Sequence, residues 1–396
     1  MSHLPSDLSI PAAQSRSMIA FLAVSCGLIV ANIYYSQPLV GLIGSTLRMQ
    51  ADTESLIVSL TQLGYAAGLI FLVPLGDLVE NRRLVVMTVA AAVMPLLLGG
   101  LAWSGPAMMA ASVLIGLTSV AVQMLIPLAA HLTQEARRGR VVGLITSGLL
   151  FGILLSRPIA SSIAAFGSWR AVFFGSAGLM AGLALLLSRM LPYRKPEANQ
   201  HYFALLASLF SLPARFPVLR QRAAYQAAAF AGFSLFWTGV PLFLMHNFGF
   251  SQRGVALFAL AGAAGAFSAP VAGHLADRGH TAAGTLLSLV GVIGAFGVAA
   301  VGAMLKSVLV LIVAAILLDA SVQTCLVFGQ RSIYILAAEL RSRMNGIFMA
   351  MFFLGGALGS AVTGLLLAHG GWEALCVAGM LPPVLALIYF LATSFR

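Results

Sequence analysis

Long hydrophobic runs alternate with short polar stretches along nearly the whole chain. Most runs hold about 20 residues, the length that an α-helix needs to cross a bilayer core of about 30 Å. The gaps between charged residues predict twelve such helices. Their predicted positions are residues 18–44, 55–75, 84–103, 106–130, 141–164, 170–190, 223–246, 254–275, 281–304, 307–338, 344–368 and 372–393. The pattern therefore predicts an all-α membrane protein.

The composition excludes a water-soluble protein. The 396 residues are 60% hydrophobic and only 8% charged, with a mean hydropathy of +0.99, whereas a soluble domain carries roughly 25% charged residues. Cys26, Cys325 and Cys376 lie in apolar runs, and the histidines show no ligand-like spacing, so we expect neither a disulfide framework nor a metal site. No nucleophile–base pattern and no glycine-rich nucleotide-binding loop is visible, so we expect no enzyme, no cofactor and no direct use of ATP.

The net charge of +11 follows the predicted topology. With the N-terminus inside the cell, sixteen basic residues fall in inner loops, and only Arg48, Arg170, Arg253 and Lys306 fall in outer loops. This is the asymmetry that the positive-inside rule requires. We therefore attribute the positive charge to membrane orientation and not to a nucleic-acid partner. We expect a multi-pass protein of the bacterial inner membrane with both termini in the cytoplasm.

The longest polar stretch, residues 191–222, divides the predicted helices into two sets of six. It has basic ends and an apolar middle at Tyr202–Leu206, which is typical of a segment lying along the inner membrane surface. We therefore expect an N-terminal bundle at residues 1–190, a cytoplasmic linker at 191–222 and a C-terminal bundle at 223–396.

Short segments recur in the same order on both sides of this linker, at offsets of 196 to 203 residues. Among them, Pro38 matches Pro241 and Gly152 matches Gly355. Parallel repeats of this kind are typical of alternating-access carriers, in which the solute binds where the repeats meet. The repeat therefore predicts two six-helix bundles around a central cavity.

The loop after the second predicted helix carries a family signature. It reads Gly76-Asp77-Leu78-Val79-Glu80-Asn81-Arg82-Arg83 and resembles the glycine, leucine, acid and basic pattern of the major facilitator superfamily, with a second copy at residues 273–279. The resemblance covers essentially the whole chain and implies a secondary transporter. It also implies a gate at the inner ends of the helices. The residues carried over to this gate are Gly76, Asp77, Glu80, Arg82, Arg83, Asp277 and Arg278.

The fifth predicted helix resembles the signature of proton-driven exporters. Gly148, Gly152 and Ser156 keep its spacing, and Arg157 stands where that signature has glycine. Residues 32–39 resemble the first helix of bacterial drug-exporter-like carriers. The resemblance implies an antiporter that exports small organic molecules in exchange for protons. The alternative is a facilitator or a proton symporter that imports a small metabolite.

Two charges lie deep inside predicted helices. Asp319 is the only acidic residue at such a depth. Because an ionised side chain there costs several kcal/mol unless it is paired or faces water, Asp319 is the candidate proton-coupling residue; the alternative is a structural carboxyl satisfied by a neighbour. Arg157 is the second deep charge. It either acts on Asp319 or an anionic solute, or it is structural, snorkelling outward or locking helices together.

Neutral polar residues predict the lining of the cavity. Asn32, Tyr35 and Ser36 share one face of the first helix, at positions i, i+3 and i+4. The candidates on the fourth and tenth helices are Ser119, Gln123, Gln323 and Gln330. Such groups suit an amphipathic or uncharged organic solute, and helix packing explains any single one of them equally well. We expect a monomer whose partners are lipid, a small organic solute and protons.

Overall fold

The computed structural model describes residues 16–196, 201–337 and 340–394. The regular structure in these ranges is entirely helical. The α-helices, in chain order, are α1 (Arg16–Ala31), α2 (Val40–Thr46), α3 (Leu56–Phe71), α4 (Asn81–Ala91), α5 (Val93–Leu101), α6 (Gly105–Thr118), α7 (Ala121–His131), α8 (Glu135–Phe166), α9 (Trp169–Met190), α10 (Tyr202–Arg215), α11 (Pro217–Phe248), α12 (Gln252–Gly262), α13 (Ser268–Asp277), α14 (Thr281–Met304), α15 (Val308–Tyr334) and α16 (Arg341–Ser394).

Nine stretches of the described residues are long and apolar enough to cross a membrane. They cover the predicted positions of all helices except the first and the eighth. In those two regions the α-helix is interrupted, between α1 and α2 and between α12 and α13. The hydrophobic pattern therefore located the apolar segments and did not show these interruptions.

Prolines explain several of the interruptions. Short 3-10 segments contain Pro38 and Pro74, and α4 ends at Ala91, four residues before Pro95. A proline ring removes a backbone donor and clashes with the carbonyl four residues earlier, which weakens an α-helix at that point, although α8 and α11 continue through Pro158 and Pro241. A third 3-10 segment, Ala263–Phe267, separates α12 from α13.

The last two predicted helices lie within the range given as α16, which has 54 residues and a break at Gly371. At 1.5 Å per residue 54 residues correspond to about 80 Å of helix, more than twice the thickness of a bilayer core, so the range holds two helices and not one straight one. Gly371 interrupts it with φ 62° and ψ −162°, a conformation that is essentially restricted to glycine. Gly371 therefore divides α16 into two segments, at the position where the sequence predicts a connection.

Glycines let two pairs of helices pack backbone against backbone. A Cβ atom added at Gly148 or Gly152 of α8 would lie 2.3 Å from a carbonyl oxygen of α1. A Cβ atom added at Gly355 or Gly359 of α16 would lie 2.1 or 2.0 Å from a carbonyl oxygen of α11. Small residues are what such close approach requires. The same glycine spacing therefore packs α8 on α1 in the first half of the chain and α16 on α11 in the second.

The predicted linker forms an amphipathic helix, α10. Its Leu205, Leu209 and Leu212 are buried, and the hydroxyl of Tyr202 donates a 2.8 Å hydrogen bond to the carbonyl of Phe71 at the end of α3. The linker thus packs against one end of the helical assembly, which we call the linker end.

The opposite end carries the predicted outer connections. A surface pocket there is lined by residues from four of them, among which are Ala51, Asn247, Lys306 and Gly370. We call this end the pocket end. Four of the loops predicted to be outer therefore lie together, around this pocket.

Candidate functional site

Asp319 lies within α15, after the unbroken apolar run Val308–Leu318. Its side chain is only 6% exposed. The indole N–H of Trp237 on α11 donates a 2.7 Å hydrogen bond to Oδ1 of this carboxyl group. The 3-10 segment Ala263–Phe267 also packs closely against Asp319, because a Cβ atom on Gly265 would lie 2.6 Å from the Cβ atom of Asp319. The carboxyl group is therefore enclosed by neighbouring elements of the second half of the chain.

Arg157 on α8 is the second deep charge, and it points into the protein. Its side chain is 4% exposed, and its Nε donates a 2.8 Å hydrogen bond to Oε1 of Gln37. Its guanidinium carbon lies 5.4 Å from the ring centre of Tyr34, 5.0 Å from that of Phe233 and 4.4 Å from that of Trp237. Aromatic faces attract a cation by about 2 kcal/mol or more where water is excluded.

Trp237 connects the two charges. The face of its ring contacts Arg157, and the N–H at its edge donates to Asp319. Among the described residues no ion pair joins Arg157 to Asp319, although the two charges interact electrostatically. We call Arg157, Trp237 and Asp319 the central cluster. In it, one charged residue from each half of the chain contacts the same indole ring.

The central cluster retains unused hydrogen-bond donors. In the part of the chain that the structure describes, Nη2 of Arg157 and Nε2 of Gln37 are buried and have no partner. Buried polar groups are nearly always paired, and leaving one unpaired costs about 1–3 kcal/mol or more. The cleft between Arg157 and Trp237 is closed in this state. In this state the cleft leaves no room for a bound group beside Arg157.

The cavity candidates of the first predicted helix are buried. Oδ1 of Asn32 accepts a 2.5 Å hydrogen bond from Ser176 on α9, and Tyr35 and Ser36 are also buried. Nδ2 of Asn32 and Oγ of Ser36 have no partner among the described residues. In this state Asn32 makes a contact within the first half of the chain, and its role in the cavity stays a prediction.

The other cavity candidates are dispersed. Ser119 donates to a backbone carbonyl of its own helix, and Gln123 donates at 3.4 Å to the hydroxyl of a tyrosine on α3. Gln323 is half-buried, and Gln330 donates at 3.3 Å to Asn345. None of the four hydrogen-bonds to the central cluster within the described ranges, so their contact with solute also stays a prediction.

Asp77 and Arg343 form an ion pair between the two halves at the linker end. Their oxygen and nitrogen atoms are 3.9 Å apart, and the side chains are 44% and 21% exposed. Exposed ion pairs contribute about 1 kcal/mol or less. Arg343 also donates to the hydroxyl of Ser208 on α10, at 3.5 Å. The linker helix therefore contacts the same cation that joins the halves.

Glu80 is a helix cap in this structure. Its carboxylate accepts from the backbone N–H groups of Arg82 and Arg83 at 2.8 and 2.7 Å, and from that of Arg194 in the linker at 3.2 Å. A cap of this kind stabilises a helix by about 0.5–2 kcal/mol. In this loop, Asp77 and not Glu80 makes the ion pair with the other half of the chain. The contacts of Glu80 are those of a helix cap, so its gating role stays what the resemblance implies.

The remaining gate candidates contact neighbouring backbone or pair locally. The carbonyl of Gly76 accepts from an asparagine side chain, and the side chain of Arg82 donates to a backbone carbonyl of α9. In the second copy of the loop, Asp277 pairs with Arg331 at 2.5 Å, and Arg278 follows directly after α13. Arg331 therefore lies at the linker end and does not neutralise the central carboxylate.

Uncharged hydrogen bonds join the halves nearer the pocket end. The hydroxyl groups of Ser59 and Ser360 lie 3.0 Å apart, and Nε2 of Gln62 donates to Ser234 at 2.8 Å. Gln252 donates to two groups of the first half, at 2.8 and 3.2 Å. All five residues are buried, so this side of the contact between the halves is closed.

A cavity of about 710 Å³ lies at the pocket end and does not include the central cluster. It is lined in part by Glu54, His246 and the stacked rings of Phe243 and Trp372. Burial raises the pKa of Glu54, and the positive charge of His246 opposes that rise. We assign the candidate site to the central cluster because its charges are fully buried where the halves meet, whereas the pocket is an open surface feature.

Sequence reasoning did not identify Trp237 or Gln37 as site residues. Trp237 corresponds to Tyr34 at the repeat offset of 203 residues, so the pairing of two rings was an available signal. The repeat offset does not show which of the two rings contacts Asp319. Trp237 lies 82 residues before Asp319 in the chain, so only the folded structure brings them together.

A helical fold with many apolar segments long enough to cross a membrane agrees with the comparison to known families. The model of the Major Facilitator Superfamily matches residues 19–335. The chain belongs to this superfamily. It is accordingly a membrane-spanning transporter of a small solute and not an enzyme.

Named relatives of this superfamily protein are transporters. It is 41% identical over 371 residues to the uncharacterized transporter YgaY of Escherichia coli O157:H7, covering 92% of each chain. It is 32% identical over 383 residues to SCO4007 of Streptomyces coelicolor, named a probable transporter, covering 95% of this chain and 87% of the relative. It is 28% identical over 280 residues to NarK2 of Mycobacterium tuberculosis, named a probable nitrate/nitrite transporter, covering 66% and 68%.

Solved structures share the fold at low sequence identity. A point mutant of the nucleoside transporter NupG superposes with a TM-score of 0.76 at 16% identity, over 94% of this chain and 99% of the other. A bacterial homolog of the human lysosomal transporter Spinster, in an inward-facing and occupied conformation, has a TM-score of 0.73 at 14% identity, over 96% of both chains. At these identities the likeness shows the fold alone.

Proposed function

We propose that this superfamily member is a proton-coupled secondary transporter of a small organic solute in the bacterial inner membrane. The observation that carries the proposal is the buried carboxyl group of Asp319, hydrogen-bonded to Trp237 and facing Arg157 from the other half of the chain. Gain or loss of a proton there changes the cost of exposing the site to water on either side. Asp319 is therefore the proposed proton-coupling residue, and Arg157 acts on it electrostatically.

The proposed architecture has twelve crossings in two bundles of six, at residues 1–190 and 223–396, joined by the linker. The nine apolar stretches support it, because the last one is long enough for two crossings divided at Gly371. The interrupted pairs α1–α2 and α12–α13 supply the remaining two. The equivalent glycine contacts of α8 on α1 and of α16 on α11 support the repeat.

The proposed cycle alternates access between the two ends. Buried hydrogen bonds such as that between Ser59 and Ser360 close the pocket side, whereas the linker end is joined by the 3.9 Å pair of Asp77 and Arg343. With the termini and the linker in the cytoplasm, as the basic residues predict, this state is closed to the outside. The Asp77 pair and the proposed gate around Glu80 would then open or close the cytoplasmic side.

The proposed direction is export. The resemblance of the fifth predicted helix to proton-driven exporters favours exchange of solute for protons, and uptake by a facilitator or proton symporter is the alternative. The names of relatives and of proteins with the same fold include nitrate/nitrite and nucleoside transporters, so the family likeness does not choose a solute. The charge of the solute decides between exchange and cotransport.

The test measures proton movement in liposomes that contain the purified protein and an internal pH-sensitive dye. The added solute is a compound that raises the melting temperature of the protein in a metabolite and drug library. We expect a solute-dependent pH change that Asp319→Asn abolishes and that Glu135→Gln, at the exposed start of α8, retains. Solute flux without any pH change in the unmodified protein would refute proton coupling.

A further inference from the structure

Arg157 is a buried cation whose hydrogen-bonding capacity is incompletely used. Its Nε is taken by Gln37 and its face by Trp237, but Nη2 has no partner among the described residues. The neighbouring amide nitrogen of Gln37 is buried and unpaired as well. Both unpaired groups are donors, so the group that satisfies them must be an acceptor.

We infer that the transported solute carries a carboxylate on a small aromatic or apolar body, that this carboxylate binds Arg157 and Gln37, and that it moves together with the proton on Asp319. The inference rests on the proposed proton-coupled function of the same site. An arginine presents its N–H groups in a planar fork that matches a carboxylate. The rings of Tyr34 and Phe233 beside the guanidinium favour an apolar body, since solute sites are mostly apolar with a few polar anchors.

The charges of the central cluster determine the sign of the coupling. Arg157 supplies one positive charge, and an ionised Asp319 balances it without a solute. A bound carboxylate together with an ionised Asp319 would place two anions against one cation, which is unfavourable in a low dielectric. Protonation of Asp319 restores neutrality. The solute therefore favours protonation, and by reciprocity the proton favours the solute.

The other groups near the carboxyl group of Asp319 do not alter this balance of charge between Asp319, Arg157 and the solute. Among the described residues, the charged or titratable side chains that interact with Asp319 are Arg157 from α8 and Tyr34 from the connection between α1 and α2. The segment Ala263–Phe267 packed against it contains no ionisable side chain. Solute and proton are therefore bound together, so this inference keeps the proposed proton coupling and replaces the proposed exchange by the alternative named above, cotransport.

The test compares acids with their own amides. Benzoate and phenylacetate are the probes, with benzamide, phenylacetamide and benzylamine as uncharged and cationic controls. Binding to the purified protein is measured by thermal stabilisation and by calorimetry in buffers of different ionisation enthalpy, which reports protons taken up or released. We expect the carboxylates to bind with proton uptake, and the amides and the amine to bind more weakly.

Variants assign these effects to residues. Arg157→Gln should weaken carboxylate binding by about 30-fold or more, because it removes one partner of a buried charge pair, and Arg157→Lys should weaken it less. Asp319→Asn should keep binding and lose the proton uptake. If Arg157→Gln does not fold, the comparison of acid with amide in the unmodified protein still decides.

Three results would overturn the inference: amides or benzylamine binding as well as the acids, no binding of either acid, or proton release when an acid binds. Proton release, or proton exchange linked to benzylamine, would leave the proposed proton coupling intact and reject only the carboxylate cotransport. Binding of an acid with no proton movement in either direction would instead count against the proposed function itself.

Discussion

Trp237 illustrates how one side chain can serve two charges. A tryptophan offers a face that attracts cations and an edge N–H that donates to anions, and here Arg157 and Asp319 use one property each. Because the ring comes from the second half and Arg157 from the first, any separation of the halves at this point changes the surroundings of the carboxyl group. The proposed movement of the halves would therefore act on both charges without a direct ion pair.

Replacing Trp237 by phenylalanine should separate these two properties. The variant Trp237→Phe keeps a ring for Arg157 and removes the donor to Asp319. A hydrogen bond donated to a carboxylate favours its ionised form, so its loss should shift the pH dependence of solute-linked proton flux to higher pH. Flux is measured in liposomes across the range from acidic to mildly alkaline pH.

Trp372→Phe is the matched control for this variant, because Trp372 donates to a backbone carbonyl away from the central cluster. It should leave the pH profile unchanged. The same pH profile in Trp237→Phe and the unmodified protein would show that the indole N–H has no role in coupling.

At the scale of elements, glycine spacing decides which helices approach closely. Gly152→Ala on α8 would place a Cβ atom 2.3 Å from a carbonyl oxygen of α1. A Cβ atom added at Gly143 of the same helix would have no atom of another element within 4 Å. We expect Gly152→Ala to destabilise the protein by about 1–3 kcal/mol, the usual cost of overpacking, and Gly143→Ala to have little effect. Thermal unfolding in detergent measures both.

The second half offers the same comparison. Gly355→Ala should destabilise the protein, because its Cβ atom would lie 2.1 Å from a carbonyl of α11, and Gly346→Ala should not. Equal losses of stability at all four positions would contradict the close backbone packing of both helix pairs at Gly152 and Gly355.

Asp77 and Glu80 lie in one loop and should respond differently to loss of charge. Asp77→Asn removes the ion pair with Arg343 and should change the rate of solute-linked proton flux, since a weak pair is enough to bias two states of nearly equal energy. Glu80→Gln weakens a helix cap and should lower the free energy of unfolding by about 0.5–2 kcal/mol.

The rate of solute-linked proton flux and the melting temperature are measured for both variants, Asp77→Asn and Glu80→Gln. A change of rate in Glu80→Gln at unchanged stability would restore Glu80 as the gating residue that the family resemblance implies. An unchanged rate in Asp77→Asn would remove the ion pair with Arg343 from the proposed gate.

The whole molecule is closed toward the pocket end, and a cross-link there should hold it closed. The hydroxyl oxygens of Ser59 and Ser360 are 3.0 Å apart, and a disulfide needs side chains about this close. The double variant Ser59→Cys/Ser360→Cys should oxidise to a disulfide, stop proton flux, and recover on reduction. The single variants are the controls, and full flux in the oxidised protein would contradict movement at this contact.

The orientation in the membrane is tested by thiol labelling from outside intact cells. The native Cys26, Cys325 and Cys376 are buried, so background labelling should be low. A cysteine at Ser251, near the pocket end, should react with a membrane-impermeant reagent, and one at Tyr193, which is 71% exposed in the linker region, should not. Labelling of both, or of Tyr193→Cys alone, would contradict the predicted topology.

The length of the hydrophobic runs was sufficient to locate the nine apolar stretches found among the described residues, because a bilayer accepts only long apolar helices whose backbone groups are paired internally. It also identified Asp319 and Arg157, since a charge inside an apolar run is visible without any coordinates. It did not reveal the interruptions in the first and eighth segments, because a proline or a close packing contact changes helix geometry without changing hydropathy.

The sequence by itself determined the helical membrane class, the positions of the apolar segments and the two deep charges, because each of these depends on local composition and length. Tertiary structure alone decided that Trp237 lies between Arg157 and Asp319, that Asp77 and not Glu80 pairs across the halves, and that the cavity candidates are dispersed. Contacts between helices distant in the chain depend on the rotation and approach of each helix, which packing sets and local sequence does not encode.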